Sequence, residues 1–535
     1  MKKRCITLLI VSFLVGLIHA QEPFIHKSFD SNSVDFSKVR ENLNEAEDSR
    51  LAFVPTYSKG LKGLCLDLTS DVAVRLPIAL DTSETLPYDK SFAIELWVKT
   101  KRNARQGTPI MSNKKVEDKN KAGWMLGTND SGAWFFNISD GKSTYNYVPT
   151  PDRQSINDGE WHQIAVSVDL DKKEIWFYYD GENVGIYNVD GLATASSEWA
   201  TIIGGSDEYN DWSSRREWTA FNGMIDEVKM YKGTLASSAI KSLYNELATD
   251  RSEKLKVILP NELKVQVWNI WHGGHRFGEH VGLERVINVL KKENADVIGL
   301  IETYGSGEVI ADSLGYYFYL ISSNLSIMSR YPIDETIKVY KSFNSGGAVL
   351  NLGNGNKMVF FDIWLDYLPN MCDLVSDKVN LTDFMKEENN RRGKEIKAIL
   401  KEIEPYTQNA DNVPVFMVGD FNSGSHLDWN DATKDIHNDR IIKWPASIEM
   451  ESAKYKDSYR EINLNPLTDP GFTWSPLISN SSVKPTCIRD RIDYIYYKGK
   501  NVQSYWSKSL DHHPPFWPSD HGSVITYFYL NQDKL

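Results

Sequence analysis

Polar residues recur where loops could carry chemistry. Asn269 follows the apolar run 263–268, Glu302 follows Val297–Ile301, and Asp420 and Asn422 follow the run 415–418. Asp493 lies within Arg491-Ile-Asp-Tyr-Ile-Tyr496, and Asp520-His521 follows Trp517-Pro-Ser519. Loops on a rigid scaffold are where catalytic groups concentrate. Taken singly, each residue is also an ordinary turn residue or cap. Taken together, they have one chemical sense. Phosphoester hydrolysis needs the phosphoryl charge neutralised and a water deprotonated. Carboxylates holding Mg2+ serve the first need. A carboxylate base serves the second. An imidazole kept protonated by another carboxylate supports developing negative charge. Glu302, Asp420 and the Asp493/His521 pair fit those roles.

The elements that must position these groups mix strands and helices. Leu283, Val286, Ile287 and Leu290 recur at i, i+3, i+4 and i+7 and predict an amphipathic helix. Ile396, Ile399, Leu400 and Ile403 predict a second. Short apolar runs between them read as strands. Residues 262–532 therefore form a layered α/β domain with helices covering sheets. Residues 47–248 have a different grammar. Phe92–Lys99, 161–168 and Glu174–Tyr179 alternate apolar and polar residues, with turn signals at 129–132 and Asp180-Gly181. That pattern predicts an antiparallel β-sandwich, with one short helix over 236–247. Residues 249–261 are charged, carry Pro260 and read as a linker.

Four segments give the N-terminal half a family likeness. Ser91-Phe-Ala-Ile-Glu-Leu-Trp-Val98, Asp158-Gly-Glu-Trp-His-Gln-Ile-Ala-Val166, Tyr178-Tyr-Asp-Gly181 and Phe221-Asn-Gly-Met-Ile-Asp-Glu-Val228 resemble the laminin-G / concanavalin A-like jelly roll in order and spacing. The resemblance implies an all-β two-sheet sandwich that often binds a glycan or protein, sometimes with Ca2+. A glycan or surface ligand is the expected partner. Trp97 and Trp161 read as core packing, and no acidic cluster compels a Ca2+ site.

The C-terminal half is similar to the endonuclease/exonuclease/phosphatase superfamily, the DNase I-like fold. Trp268-Asn-Ile270, Leu300-Ile-Glu302, Gly419-Asp-Phe-Asn422, Arg491-Ile-Asp-Tyr-Ile495 and Ser519-Asp-His521 carry the likeness in that family's order. It implies an α/β four-layer sandwich, two packed β-sheets flanked by helices, with a metal-dependent phosphoesterase site. By this resemblance Glu302 is the main Mg2+ ligand, with Asn269 and Asp520 near the metal. Asp420 orients or deprotonates the attacking water and Asn422 helps hold it. His521 contacts the phosphate, oriented by Asp493. Whether Asp420 is a base or binds a second metal stays open.

One position departs from the pattern. Many members place a His in a strand-end Thr-His-Leu; here Phe361-Asp-Ile-Trp-Leu365 puts Trp364 there. Trp cannot transfer a proton, which weakens a two-His mechanism. His272 and His426 follow the Asn269 and Asp420 strands and are candidates for the substrate phosphate, as is Arg460. Trp429, Trp474 and Trp517 are candidate cleft walls. His512 and His513 read as loop decoration.

Composition bounds the setting. The 535 residues have a formal net charge of −12, which disfavours broad nucleic-acid binding through Lys and Arg. Residues 1–20 pair Lys2, Lys3 and Arg4 with an apolar stretch ending at Ala20, the pattern of a signal peptide. No other stretch is apolar enough to span a membrane, so the expected location is secreted or periplasmic. Cys65, Cys372 and Cys487 remain after its removal. Their number is odd, and Cys372 with Cys487 is the pair to test. The expected activity is hydrolysis of a phosphodiester or phosphomonoester with Mg2+, or Mn2+ in its place. A secreted endonuclease is the alternative. A glycan-binding or adhesion protein with an inactive catalytic fold is the second.

Overall fold

The computed structural model describes residues 21–30, 57–69, 77–80, 89–101, 107–114, 120–206, 221–248, 260–375, 379–478, 487–514 and 516–531. Residues 1–20, whose sequence has the pattern of a signal peptide, residues 47–56 of the first domain and residues 249–259, read as a linker, lie outside them.

Alternation in the N-terminal half builds two facing sheets. One runs in the order Tyr57–Lys59, Leu64–Asp67, Met224–Lys232, Phe92–Lys99, His162–Asp169, Glu174–Tyr179 and Glu182–Asn188. The other holds Ile78–Ala79, Ile202–Ile203, Pro109–Ser112, Gly123–Thr128, Trp134–Ser139 and Thr144–Tyr147. Trp124, Trp134, Phe136 and Phe177 fill the space between them. Trp97 points to the opposite face and stacks on Tyr244 of helix Ser237–Leu247, with ring centroids 5.5 Å apart. It is packing, as its sequence context suggests.

The C-terminal half is a four-layer sandwich. Its first sheet orders Tyr317–Leu320, Leu325–Ser329, Val297–Ile301, Glu262–Asn269, Ser523–Leu530 and Val502–Leu510. Its second orders Ile333–Lys338, Ser345–Gly353, Asn356–Trp364, Val415–Asp420, Asp493–Lys498 and Lys456–Asp457. Val265, Val267, Ile327, Phe360, Phe416 and Val418 pack between the sheets. Close approach explains the glycine in Val297–Ile301: a Cβ on Gly299 would lie 2.4 Å from Val418 Cγ2. Helix Glu279–Glu293 buries Val286, Val289 and Leu290 on the first sheet and ends at Asn294 in the left-handed conformation. Helix Lys394–Glu402 buries Ile396 and Ile399 on the second.

The two halves share a sheet. Glu182–Asn188, the edge of the jelly roll, pairs in parallel with Tyr317–Leu320 through Ile186↔Tyr319 and Tyr187↔Leu320. The joint sheet has 14 strands. Edge strands left open invite foreign pairing, and here each half covers the other's edge. Buried Asp312 accepts from Gln154 Nε2 at 2.7 Å and from the Thr150 N–H at 2.8 Å. Lys338 Nζ donates to Asn188 Oδ1 at 2.7 Å and reaches Asp190 Oδ1 at 2.8 Å. The domains therefore dock rather than swing freely.

Cys372 and Cys487 are disulfide-bonded across 115 residues, and Cys65 is free and buried. Closing so long a loop restricts the unfolded chain. Replacing both by serine is expected to cost about 2–5 kcal/mol, checked by denaturant unfolding. Among the described residues, no helix is long and apolar enough to cross a membrane.

Candidate active site

Strand ends from both sheets of the C-terminal half meet at one point. In the first sheet Asn269 is level with Ile301, so Glu302 follows directly beside it. In the second sheet Asp420 is level with Asp493. His521 lies two residues before Ser523–Leu530. The Asn269 amide nitrogen is the hub: it lies 3.2 Å from Asp420 Oδ2, 3.3 Å from Glu302 Oε1 and 3.5 Å from His521 Nε2. Its Oδ1 accepts from the Trp271 N–H at 3.0 Å. Asn269 therefore presents a donor to the carboxylates. In this arrangement the NH2 group orients the carboxylates, while Oδ1 keeps a second lone pair.

His521 is buried and held from both sides. Its Nδ1 is 2.9 Å from Asp493 Oδ2, and its Nε2 faces Asp420 Oδ2 at 3.8 Å. Trp268 and Trp517 both donate their indole N–H to the His521 carbonyl, at 3.1 and 2.6 Å. Trp474 sets its ring against the imidazole, centroids 5.0 Å apart. Asp420 Oδ1 accepts from the Asn422 N–H at 2.9 Å, while Asn422 Nδ2 donates to the Leu365 carbonyl at 3.0 Å. Asn422 thus positions Asp420 through its backbone. Glu302 Oε2 accepts from the His272 N–H at 2.9 Å.

The loops themselves are strained. Trp271, His272, Glu302, Tyr304 and Asn422 have φ of 55°, 52°, 58°, 36° and 49°. Left-handed backbone at non-glycine residues costs on the order of 1 kcal/mol or more and persists where surrounding contacts hold it. Gly273 (φ 69°) donates its N–H to the Glu302 carbonyl at 2.7 Å. A Cβ there would lie 2.7 Å from Ser306 Oγ, so this glycine packs against protein, not ligand.

The electrostatics are one-sided. Burial pulls the His521 imidazole down, but Asp493 and then Asp420 outweigh it, and its pKa is pushed up to about 10. The ring is therefore protonated at neutral pH. Burial raises Asp420, opposed by His521 and aided by Asp493, to about 7. Burial likewise raises Asp520 to about 6, opposed by His521 and aided by Glu302. Among the described residues, no Lys or Arg forms an ion pair with Glu302, Asp420, Asp493 or Asp520. Asp493 Oδ1 and Asp520 Oδ1 are buried without a hydrogen-bond partner.

Orphaned oxygens and uncompensated carboxylates fit a hard divalent cation such as Mg2+ or Mn2+. Asp420, Asp493 and His521 bring ligand atoms within 4.8 Å of one another. His521 is a poor member of that trio, since a protonated, hydrogen-bonded imidazole does not coordinate. Among the described residues, no comparable cluster occurs in the jelly roll, so no group there is assigned to Ca2+.

Several candidates lie elsewhere or act differently. Arg460 is buried, ion-paired with Asp428 at 2.7 Å, and donates to the carbonyls of Asn463 and Asp469. Its charge is paired and both terminal nitrogens are engaged; only Nε lacks a partner, and it is buried, so Arg460 is not presented to a phosphate. His426 is engaged by Ser447 Oγ at 2.8 Å and Glu451 Oε2 at 3.3 Å, so it fastens a loop to helix Pro445–Ser452. Trp429 is buried, stacked on His437 and bonded to Asp490. Trp517 supports the His521 backbone from below. Of the three tryptophans only Trp474 touches the catalytic imidazole. His272 is half-exposed at the mouth, stacked on Tyr304 and accepting from Arg276 at 2.9 Å.

Sequence reasoning passed over Asp362. It points between the sheets, fully buried, with neither oxygen in a full hydrogen bond. Burial pushes its carboxyl far up, against weak backbone N–H approaches from Ile363 and Ser326. Its folded pKa exceeds its unfolded value, so its contribution is favourable in acid and is lost as pH rises. Asp362→Asn is expected to stabilise the protein by up to about 4 kcal/mol at pH 7 and by little at pH 4. Melting curves at both pH values check this.

The sandwich and the site at its strand ends define a hydrolase of phosphoester bonds preceded by a jelly roll. Comparison with known proteins agrees. Residues 267–521 match the Endonuclease/Exonuclease/phosphatase family, and residues 76–241 match the Concanavalin A-like lectin/glucanases superfamily. Uncharacterized protein F14F9.5 of Caenorhabditis elegans is 30% identical over 290 residues, spanning 50% of this chain and 90% of that protein. Truncated Caenorhabditis elegans TDP2 is 17% identical with a TM-score of 0.33, covering 50% of this chain and 98% of that one. The endonuclease/exonuclease/phosphatase from Beutenbergia cavernae DSM 12333 is 17% identical with a TM-score of 0.36, covering 51% and 72%. The chain belongs to the endonuclease/exonuclease/phosphatase family.

Proposed function

We propose that this protein is an exported, Mg2+-dependent phosphoesterase acting on a small phosphomonoester or phosphodiester. The observation that carries the reading is the convergence of Glu302, Asp420 and His521 on the Asn269 amide, with Asp493 on His521 and Asp520 in the field of His521 and Glu302; among the described residues no Lys or Arg forms an ion pair with these carboxylates. Glu302 and Asp520 would hold the cation, with Mn2+ as a substitute. Bound there, the cation would supply neutralisation of phosphoryl charge and a more acidic water. Asp420 accepts the proton of the attacking water; its raised pKa suits a base near neutral pH. His521, kept cationic by Asp493, donates a hydrogen bond to a phosphoryl oxygen and steadies the charge that builds there. Asn269 spaces the carboxylates. Asn422 fixes Asp420. The jelly roll would hold the enzyme near a glycan or surface. The disulfide supports export, since such bonds persist in oxidising compartments. The formal net charge of −12 favours a small ester over a nucleic-acid polymer.

The test is hydrolysis by the chain purified without residues 1–20, with Mg2+ and then with EDTA. The panel holds a phosphomonoester, a small phosphodiester, sphingomyelin, inositol phosphates and plasmid DNA. Metal-dependent turnover of a small ester is the expected result. DNA cleavage at low enzyme would replace the reading by a nuclease. Silence across the panel with Mg2+, Mn2+ and Ca2+ would overturn it.

A further inference from the structure

Trp364 occupies a position where proton chemistry is impossible, yet the fold places it beside the proposed base. Along strand Asn356–Trp364, Phe360, Asp362 and Trp364 alternate onto the face that looks between the sheets. Trp364 is level with Asp420 on the neighbouring parallel strand, so the two side chains leave the same face at the same height. Phe360 beneath it is sealed in the core, whereas Trp364 is half-buried at the open end.

Two more rings extend it. Phe343, 43% exposed, meets Trp364 edge-on, centroids 5.7 Å apart at 85°. Tyr367, 60% exposed, lies 6.4 Å from it. The wall is tied to the catalytic loops by backbone. The Trp364 N–H donates to the Asn344 carbonyl at 2.8 Å, and Asn344 Nδ2 returns a bond to the Trp364 carbonyl at 3.1 Å. Asn324 Nδ2 donates to the Phe343 carbonyl at 3.0 Å, while Asn324 Oδ1 accepts from the Glu302 N–H at 3.2 Å. The Asn324 side chain thus links the backbone of Phe343 to that of Glu302.

Exposed rings fixed beside buried carboxylates offer a phosphate nothing. They offer a substituent a flat contact. We propose that Trp364, with Phe343 and Tyr367, forms a stacking wall that selects a phosphoester bearing a planar ring; this rests on the phosphoesterase reading above. A planar ring stacks by its face and keeps its polar edge in water. An alkyl chain would need a continuous apolar trough. Here Phe343 stands at a right angle to Trp364, Tyr367 is tilted at 39° to it, and the residue before Tyr367 is Asp366, paired with Arg391 at 2.7 Å.

The experiment is calorimetric titration of the full chain, in Ca2+, with adenosine 5′-monophosphate and with glycerol 3-phosphate. The nucleotide is expected to bind about tenfold tighter. Trp364→Ala removes that preference and Trp364→Phe keeps most of it. Phe343→Ala, at an exposed position, weakens it without threatening the fold. Equal affinities in the parent, binding of neither ligand, or a preference that survives both alanine variants would overturn the wall. Failure of the phosphoesterase reading looks different: the binding preference holds while no ester in the panel is hydrolysed.

Discussion

Asp420→Ala is expected to lower kcat at least a hundredfold while thermal stability holds or rises. A hundredfold is about 2.7 kcal/mol of barrier, the low end for losing acid–base help. The two halves of the prediction have one cause. Asp420 is fully buried beside Asp493, and burial raises its pKa to about 7. A carboxylate held so is costly to the fold and available to a proton, which is what a base needs. Alanine removes the base and the cost together. A structural carboxylate behaves oppositely. Removal of Asp428, which pairs with Arg460 at 2.7 Å and Arg491 at 2.6 Å, should cost stability because buried Arg460 loses its carboxylate and buried Arg491 is left with Asp457 alone. Turnover and melting temperature measured on the same Asp420→Ala preparation decide the matter. Near-normal turnover would remove Asp420 from the mechanism.

The strand-end positions were readable because two patterns coincide. An apolar run marks a buried strand, and Asn269, Glu302 and Asp420 each break such a run at its exit. What a residue touches across the fold was not readable. Arg460 and His426 show a charge or a ring in the sequence, but their partners Asp428 and Ser447 are set by tertiary packing. Trp517 stands four residues from His521 and reads as a wall; only the fold turns its N–H onto the His521 carbonyl. Asp362 reads as an ordinary strand residue because burial of its face depends on the second sheet. The joint sheet is the largest such case. Glu182–Asn188 and Tyr317–Leu320 carry no local mark of being each other's neighbour.

The second large effect concerns the imidazole, where the expected result is non-additive. His521→Ala should lower kcat at least a hundredfold. Asp493→Asn should cost less, since the ring remains but loses the carboxylate that holds it at 2.9 Å. The double variant should be no slower than His521→Ala, because Asp493 acts on the phosphate only through the ring. Additive losses would give Asp493 a separate task, such as a share in the cation. The pH profile separates these further. In the parent, the fraction of enzyme with Asp420 ionised rises through about pH 7, and the cationic ring persists to about 10. Turnover should climb from pH 5 to 8 and fall only in strong base. Burial pulls the imidazole down and Asp493 is the largest force raising it. Asp493→Asn should therefore move the alkaline limb to lower pH while Asp420, freed of a like charge but facing a less positive ring, keeps the acid limb nearly in place. An alkaline limb unmoved by Asp493→Asn would mean that His521 does not act as a cation, and its part in the reaction would reduce to hydrogen bonding.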